Sequence, residues 1–381
     1  MKKTFILLWL SHVFVDFSIG IWPIYKTLAG IDILQAGIIM GVTGFSGEVL
    51  QLAFGYFSDI GFRKKILLFG MLISSAALFL TFSNNFASLL ALMLCVMIGS
   101  GSFHPAAVGL ATSLPPSKGR SILLFASGGA LGLGLSQVIF FKSLHWFGGH
   151  AYPLLIPFLI IALFWVFHSI PEQIPEKKNP PLREFFAPFA LHKRSLLLLY
   201  ASQVFSYGVL LSFIFLLPEI LRSKGCSDWL FMGGGHMSFI FGSMLGMLLL
   251  GSLCDRLGYK KTLLIATISS IVLLNVFLFS PLPPGLFAIP FLGLLGIALN
   301  LMNPLIIAWG NHIIPQNPST VSAFLMGLAW CFSNLIPTLA GFIATIFTTT
   351  PYIMAFSSIT LFLIPTLFCI LLMPQPEPLY N

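Results

Sequence analysis

The sequence predicts an all-α membrane protein of about twelve transmembrane helices, arranged as two bundles of six. The chain of 381 residues is 57% hydrophobic and only 8% charged, whereas soluble domains carry about 25% charged residues. Long apolar stretches recur along the chain, each near the roughly 20 residues that a helix needs to cross a bilayer. A short charged phrase also occurs twice, once in each half. Together these observations favour a duplicated helical bundle.

The predicted helices follow one another with short polar loops between them. The first apolar stretch begins like a signal peptide, but His12 and Asp16 interrupt its apolar core and no cleavage motif follows. We therefore expect a retained first helix. The approximate bounds of the twelve stretches are 4–25, 33–57, 65–84, 87–113, 121–141, 151–170, 195–217, 230–253, 262–280, 285–309, 320–346 and 351–373.

The most polar segment divides the helices into two groups of six. Residues 171–194 are rich in proline and charge and cannot cross a membrane. We expect an N-terminal bundle over 1–172, a cytoplasmic linker over 173–194 and a C-terminal bundle over 195–381.

The basic residues predict the orientation of the chain in the membrane. With the N-terminus in the cytoplasm, only four of the 19 Lys and Arg residues fall on the outer side. Cytoplasmic loops carry an excess of Lys and Arg. We therefore expect a bacterial inner-membrane protein with both termini in the cytoplasm, and we expect a monomer. The four outer residues are Lys26, Lys142, Arg222 and Lys224.

Several other classes of function are disfavoured by the composition. The net charge of +8 is spread over short loops, which gives no groove for nucleic acid. The five cysteines show no metal-ligand spacing. A glycine-rich run at 127–137 lies in an apolar stretch without a following lysine, so helix packing explains it better than a nucleotide. We see no nucleophile–base pair, and we expect no enzyme activity, no cofactor and no metal.

The repeated phrase indicates a duplicated half. It reads GYFSDIGFRKK at 55–65 and GSLCDRLGYKK at 251–261, which places Asp59 and Asp255 196 residues apart. A second match lays 103–129 over 302–328 at an offset of 199. Parallel repeats joined by a central loop are a common construction of transporters.

The phrase resembles the signature loop of the major facilitator superfamily, which lies between the second and third helices and recurs between the eighth and ninth. The resemblance implies the major facilitator fold and transport by alternating access. It also implies a gating role, in which contacts of the two loops hold the bundles in one orientation; the alternative is a simple positive-inside anchor. The first copy departs from the pattern at Ile60, Gly61 and Phe62. The matching residues are Gly55, Asp59, Arg63 and Lys64 in the first copy and Gly251, Asp255, Arg256, Gly258 and Lys260 in the second.

A narrower resemblance links the N-terminal half to the fosmidomycin-resistance group of that superfamily. This group has a His-x-x-x-Asp pair in the first helix, a glutamine in the second and Phe-His-Pro in the fourth. The resemblance implies proton-driven export of drug-like molecules. The matching residues are His12, Asp16, Gln51, Phe103, His104 and Pro105.

Ionisable residues at membrane depth are candidates for proton coupling, because such groups are costly there and usually functional. Asp16 lies about eleven residues into the first helix, near the membrane midplane, and His12 lies on the same helix face four residues before it. Glu48 and His104 are the other candidates. For each, the alternative is a structural hydrogen bond; a role in bundle stability is as plausible as proton transfer for Glu48, and the structural alternative is preferred for His104.

Uncharged polar residues in the remaining spans are candidates for a substrate cavity. No Lys or Arg lies in the middle of a predicted span, which favours neutral, cationic or amphipathic cargo over a deeply bound anion. The candidates are Gln137, Gln203, Tyr207, Asn303 and Asn334.

The sequence thus favours a secondary active transporter that exports a small drug-like or metabolite molecule in exchange for protons. Its expected partners are a small-molecule substrate, the proton and the lipid bilayer. Two alternatives stay open. One is proton-coupled uptake of a nutrient, and the other is a membrane sensor on the same scaffold that transports nothing.

Overall fold

The computed structural model describes residues 2–83, 85–113, 118–169, 189–281, 287–315 and 321–374. These residues form helices and connecting turns, with no strand among them. Ten of the helices are long and apolar enough to cross a membrane. The predicted all-α membrane fold is confirmed, and each of the twelve predicted stretches coincides with a helix.

The N-terminal half contributes six helices. The first five have the length and composition of membrane spans, and α6 is a shorter apolar helix. They are α1 (Lys2–Leu28), α2 (Ile33–Phe57), α3 (Ile60–Phe82), α4 (Phe86–Ser113), α5 (Lys118–Trp146) and α6 (Tyr152–Phe167).

The C-terminal half repeats this arrangement. Most of the expected linker lies outside the described residues, and α7 begins at Lys193. The six helices are α7 (Lys193–Ser223), α8 (Gly235–Leu257), α9 (Tyr259–Phe279), α10 (Ala288–Ile313), α11 (Ala323–Ile346) and α12 (Pro351–Leu372).

Four of the described helices are interrupted: α11 at Asn334 and Leu335, α12 at Leu361 and Phe362, and α1 and α10 as follows. α1 breaks at Ile21, and a separate short helix, Trp22–Leu28, begins there with Pro23 in its first turn, where proline is well tolerated. α10 is interrupted at Leu301, between Asn300 and Met302. The short helix after the first break packs against α7 of the C-terminal half.

The two halves pack their helices in the same pattern. In the N-terminal half, α1 packs against α5 and α2 against α4; in the C-terminal half, α7 packs against α11 and α8 against α10. The halves meet through α2 with α11 and through α5 with α8. This twofold correspondence is the structural form of the repeat seen in the sequence.

We call the membrane side where α1 begins the near side and the side where it ends the far side. The hydrogen bonds and ion pairs that join the halves between described residues all lie toward the far side. Thr338 Oγ1 donates to the Gly37 carbonyl at 2.7 Å, and His236 Nε2 contacts the Leu133 carbonyl at 3.0 Å. A buried ion pair joins Lys26 and Glu219. The described halves are therefore closed against each other on the far side.

Candidate functional site

A cluster of one aspartate and two histidines lies in the middle of the N-terminal half. Asp16 and His12 share a face of α1, because four residues make about one helical turn, and α4 brings His104 to the same point. His12 Nε2 lies 3.4 Å from Asp16 Oδ2, and His104 Nε2 lies 3.2 Å from Asp16 Oδ1. Each carboxylate oxygen thus faces one imidazole. The structure joins three of the four proton-coupling candidates.

Both histidines are oriented by backbone carbonyls. His12 Nδ1 donates to the Phe125 carbonyl on α5 at 2.8 Å, and His104 Nδ1 donates to the Ser100 carbonyl one turn earlier in α4 at 2.9 Å. A carbonyl only accepts, so each Nδ1 carries a hydrogen and each neutral ring would present the Nε2 lone pair to Asp16. A lone pair facing a carboxylate oxygen repels it. Each contact is therefore favourable only when a proton lies on the nitrogen or on the oxygen.

The cluster is enclosed but not sealed. His12 is stacked on Phe125 with ring centroids 4.0 Å apart, and its side chain is 7% exposed, whereas that of His104 is 26% exposed. His104 is thus the most exposed member of the cluster. The ligand-type atoms of the three residues lie within 4.8 Å of one another, a spacing that a cation could also fill. The ion pairs explain this spacing without a cation, and we assign none.

Gly129 leaves space for the side chains of the cluster. This role could not be predicted from the sequence. A Cβ atom at this position of α5 would overlap Asp16 Oδ2 and His12 Nε2. The glycine-rich run was interpreted as helix packing alone. Packing is its role elsewhere in the run, since Gly132 lies against the Val13 backbone. At Gly129 the missing side chain serves the polar cluster instead.

Glu48 lies near the cluster but makes a separate contact. It is buried in α2, and Gln51 Nε2 donates to its Oε2. Its carboxylate is within electrostatic range of His104. Gln51, the glutamine of the narrower resemblance, therefore orients this acid on the same side of the bundle.

Amide and aromatic side chains of the C-terminal half lie across from Glu48 and Asp16. Gln203 Nε2 on α7 donates to Asn303 Oδ1 on α10. Tyr207 stacks on Trp330 of α11, with ring centroids 4.6 Å apart and 12° between the planes, and it lies within electrostatic range of both Glu48 and Asp16. The indole Nε1 of Trp330 is buried without a hydrogen-bond partner among the described residues. Trp330 was missed in the sequence, because an aromatic in an apolar span carries no signal of its own.

Two cavity candidates lie in the contacts between the halves. Gln137 is fully buried at the α5–α8 contact, where it packs against the backbone of Gly233. Asn334 packs against Gly44 of α2, and its Nδ2 donates to the Trp330 carbonyl at 2.9 Å. Asn334 thus adjoins Trp330 and its partner Tyr207, whereas Gln137 lies where α5 meets the turn before α8.

The gating-loop lysines have equivalent partners in the two halves. Lys64 Nζ donates to the Val166 carbonyl at the end of α6 at 3.0 Å. Lys260 Nζ donates to the carbonyls of Leu371 and Met373 at the end of α12, at 2.9 and 2.6 Å. Each lysine thus binds the last carbonyl groups of the sixth helix of its own half, where a cation is favoured by the helix dipole.

The remaining gating-loop residues are described in part. Gly61 and Gly258 both have positive φ, at 105° and 77°, so Gly61 gives the first loop the left-handed turn although it stands one place early. Arg63 Nε donates to Ser58 Oγ at 3.2 Å, Gly55 lies near Pro105, and Arg256 is exposed. The side chains of Asp59 and Asp255 and the surroundings of Gly251 lie outside the described residues.

These features define a class of protein. Two equivalent helical halves, closed on one membrane side, with ionisable groups buried between the helices, make the architecture of a secondary transporter. The chain matches the family model described as Major Facilitator Superfamily over residues 4–338, so it belongs to that superfamily. It is therefore an integral multi-pass membrane protein that transports small molecules by alternating access, and it is a transporter and not an enzyme.

Solved structures share this fold at low sequence identity. A mutant of the nucleoside transporter NupG has a TM-score of 0.80 and 12% identity, covering 98% of this chain and 100% of that chain. A bacterial homologue of the human lysosomal transporter Spinster, in an inward-facing and occupied conformation, has a TM-score of 0.73 and 17% identity, covering 98% and 96%. No curated protein matches the sequence. At these identities the likeness concerns the fold alone.

Proposed function

We propose that this protein exports a small drug-like or metabolite molecule across the bacterial inner membrane in exchange for protons, with Asp16 as the coupling group. The near side is then the cytoplasm. His12 and His104 share protons with Asp16, and Glu48 is a second acid beside them.

The observation that carries this proposal is the position of Asp16 between two imidazole nitrogens. Both rings are held by backbone carbonyls through Nδ1, so neither can rotate away from Asp16 without losing a hydrogen bond. Removal of the proton between His104 and Asp16 leaves their contact repulsive, which favours separation of α4 from α1. Proton release is thereby linked to a movement of helices, as a coupled transporter requires.

The opposite wall supports a small cargo that is neutral or positively charged. Tyr207 and Trp330 offer an aromatic surface, and Gln203 and Asn303 offer amide groups to a polar edge of the cargo. Asp16 and Glu48 face this wall, and a cation is attracted both by carboxylates and by aromatic faces. Export rather than uptake is favoured by the resemblance of the N-terminal half to the fosmidomycin-resistance group. The gating loops, including Asp59 and Asp255, then control opening on the near side.

Proteoliposomes with an imposed proton gradient test the proposal. Internal pH is followed while candidate cargoes are added to wild type, to Asp16→Asn and to a matched control, Asp32→Asn. Asp32 caps the start of α2 through Gln35 N, and asparagine caps equally well. We expect cargo-dependent proton movement with wild type and Asp32→Asn. Asp16→Asn should still exchange cargo but no longer follow the gradient.

The outcomes separate the alternatives. If Asp16→Asn and wild type respond alike, Asp16 has a structural role and the proposal of coupling at this residue is wrong. If protons and cargo move in the same direction, the protein is a proton-coupled uptake system. No exchange of any cargo by correctly folded protein would favour the sensor.

A further inference from the structure

We propose that Lys26 and Glu219 form the far-side gate of this transporter: their buried ion pair holds the far side closed, and the two residues separate when that side opens. This inference goes beyond the proposed function, since it needs neither a proton gradient nor a particular cargo.

The pair is built into the contact between the halves. Lys26 Nζ contacts Glu219 Oε1, and Thr27 Oγ1 also donates to that oxygen. Lys26 is 1% exposed and Glu219 8% exposed. The ammonium group additionally lies 4.5 Å from the centre of the Phe215 ring. This is the only ion pair between the two halves that the described residues form.

The two residues lie on equivalent helix ends. In α1, Pro23 is followed seven residues later by Gly30 with φ +64°; in α7, Pro218 is followed seven residues later by Gly225 with φ +67°. The far end of the first helix therefore has the same spacing of proline and glycine in both halves. Lys26 stands three residues after its proline and Glu219 directly after its own. The pair thus joins repeat-equivalent ends, which must move apart if the far side opens.

The energetics of buried charge make this pair a gate rather than a passive contact. Removing one partner of a buried ion pair leaves the other charge uncompensated in a low-dielectric environment. Glu219 Oε2 already has no hydrogen-bond partner among the described residues. An unpaired Lys26 or Glu219 that keeps its charge regains solvation when water enters from the far side. Loss of one partner should therefore shift the population toward conformations that are open on the far side.

The gate can be tested by hydrogen–deuterium exchange of the purified protein in nanodiscs. The reporter is the turn Leu230–Gly234, whose Gly233 packs against Gln137 and Val138 of α5 on the far side. We expect Lys26→Met and Glu219→Gln each to speed exchange of this turn by about tenfold, which corresponds to about 1.4 kcal/mol in the closed–open equilibrium. The reversed pair, Lys26→Glu with Glu219→Lys, should restore slow exchange.

Two controls make the result specific. Asp32→Asn changes an exposed charge on the far side, at the start of α2, and it should leave exchange of the turn unchanged. Peptides at the start of α9, on the near side, should not exchange faster in any variant, because alternating access closes this side when the far side opens. Thr27→Val, which removes only the hydroxyl donor, provides a milder variant if a single charge change prevents folding, and it should speed exchange to a smaller extent.

The inference is overturned if folded single variants keep wild-type exchange in the reporter turn. It is also overturned if the reversed pair exchanges as fast as the single variants, because the two residues would then act separately. Because no cargo or gradient enters the measurement, failure here leaves the proposed coupling at Asp16 untouched, and failure of that coupling leaves the gate untouched.

Discussion

At the scale of single residues, the two histidines use their ring nitrogens in the same way: Nδ1 is tied to the backbone and Nε2 is offered to Asp16. The side-chain amide of asparagine can take over the hydrogen bond of Nδ1 to the backbone. The longer side chain of glutamine places its amide at the position of Nε2, where it can donate to Asp16. Substitutions at His104 can therefore separate the structural contact from the contact with Asp16. His104 is the position of choice because it is the more accessible ring.

We predict that His104→Gln retains cargo exchange but reduces its response to a proton gradient by at least about tenfold, because glutamine donates to Asp16 without carrying an exchangeable charge. His104→Asn keeps a donor for the Ser100 carbonyl and leaves Asp16 Oδ1 without a partner. It should impair both exchange and gradient response. Transport by reconstituted protein checks both. Equal, wild-type gradient response in the two variants would contradict a proton-sharing role for His104.

The polar residues of the site could be predicted from the sequence, but their surroundings could not. His12 and Asp16 are placed together by helical spacing, and His104 was added by the Phe-His-Pro resemblance. Gly129 and Trp330 were missed, because their roles depend on which helix faces which. The contact of Gln137 with Gly233, between the halves, likewise depends on packing and could not be predicted. Helical spacing predicts which face of a helix a residue lies on. Which other helix packs against that face is known only from the structure.

At the scale of helices, α2 and α11 approach closely where α2 has glycines. A Cβ atom at Gly41 would overlap Thr338 Oγ1 and come within 3.3 Å of the Asn334 carbonyl. Small residues at such crossings allow the helix backbones to approach. This close contact contributes to closure of the far side.

We predict that Gly41→Ala shifts the protein toward conformations open on the far side, because the added methyl group separates α2 from α11. Faster deuterium exchange in the Leu230–Gly234 turn would report the shift. Gly327→Ala on α11 is the matched control, because a Cβ atom there meets nothing within 4 Å. A similar effect of the control would show that glycine replacement in general, and not this contact, is responsible.

The lysines at the starts of α3 and α9 each stabilise the end of a sixth helix. We predict that Lys64→Met and Lys260→Met each lower the free energy of unfolding by about 1 kcal/mol, the usual contribution of one such hydrogen bond. The effect of Lys260 should be the larger, because it binds two carbonyls. Thermal unfolding in detergent measures this, with the exposed Lys261→Met as control. Unfolding midpoints equal to that of the control would contradict the capping role.

The helices themselves were predictable, whereas their interruptions were not. Apolar length is sufficient to place a span, because the bilayer requires every buried backbone group to be paired within a helix. The break at Ile21 gave no such signal, since its residues are as apolar as their neighbours. Pro23 is nearby, but proline inside a span does not determine whether the helix bends or ends. The position of Lys26 at the gate follows from that break and was therefore not expected.

At the scale of the whole molecule, basic residues concentrate on the near side. We predict that green fluorescent protein fused after Asn381 is fluorescent in bacteria, because the near side then faces the cytoplasm, where this reporter folds. Alkaline phosphatase fused at the same point should be inactive. An inactive fluorescent protein together with an active phosphatase would show that the near side faces the periplasm and that the predicted orientation is wrong.

The lysine caps have a consequence for how the chain is made. Among the residues that the structure describes, Lys64 binds the Val166 carbonyl and Lys260 binds those of Leu371 and Met373. Each lysine therefore caps the sixth helix of its own half. The first half can then reach a finished form on the ribosome before the second is synthesised. Genes for 1–180 and 181–381, expressed from separate promoters, should yield two polypeptides that co-purify. Degradation of either piece, even when its partner is present, would show that one continuous polypeptide is required for assembly.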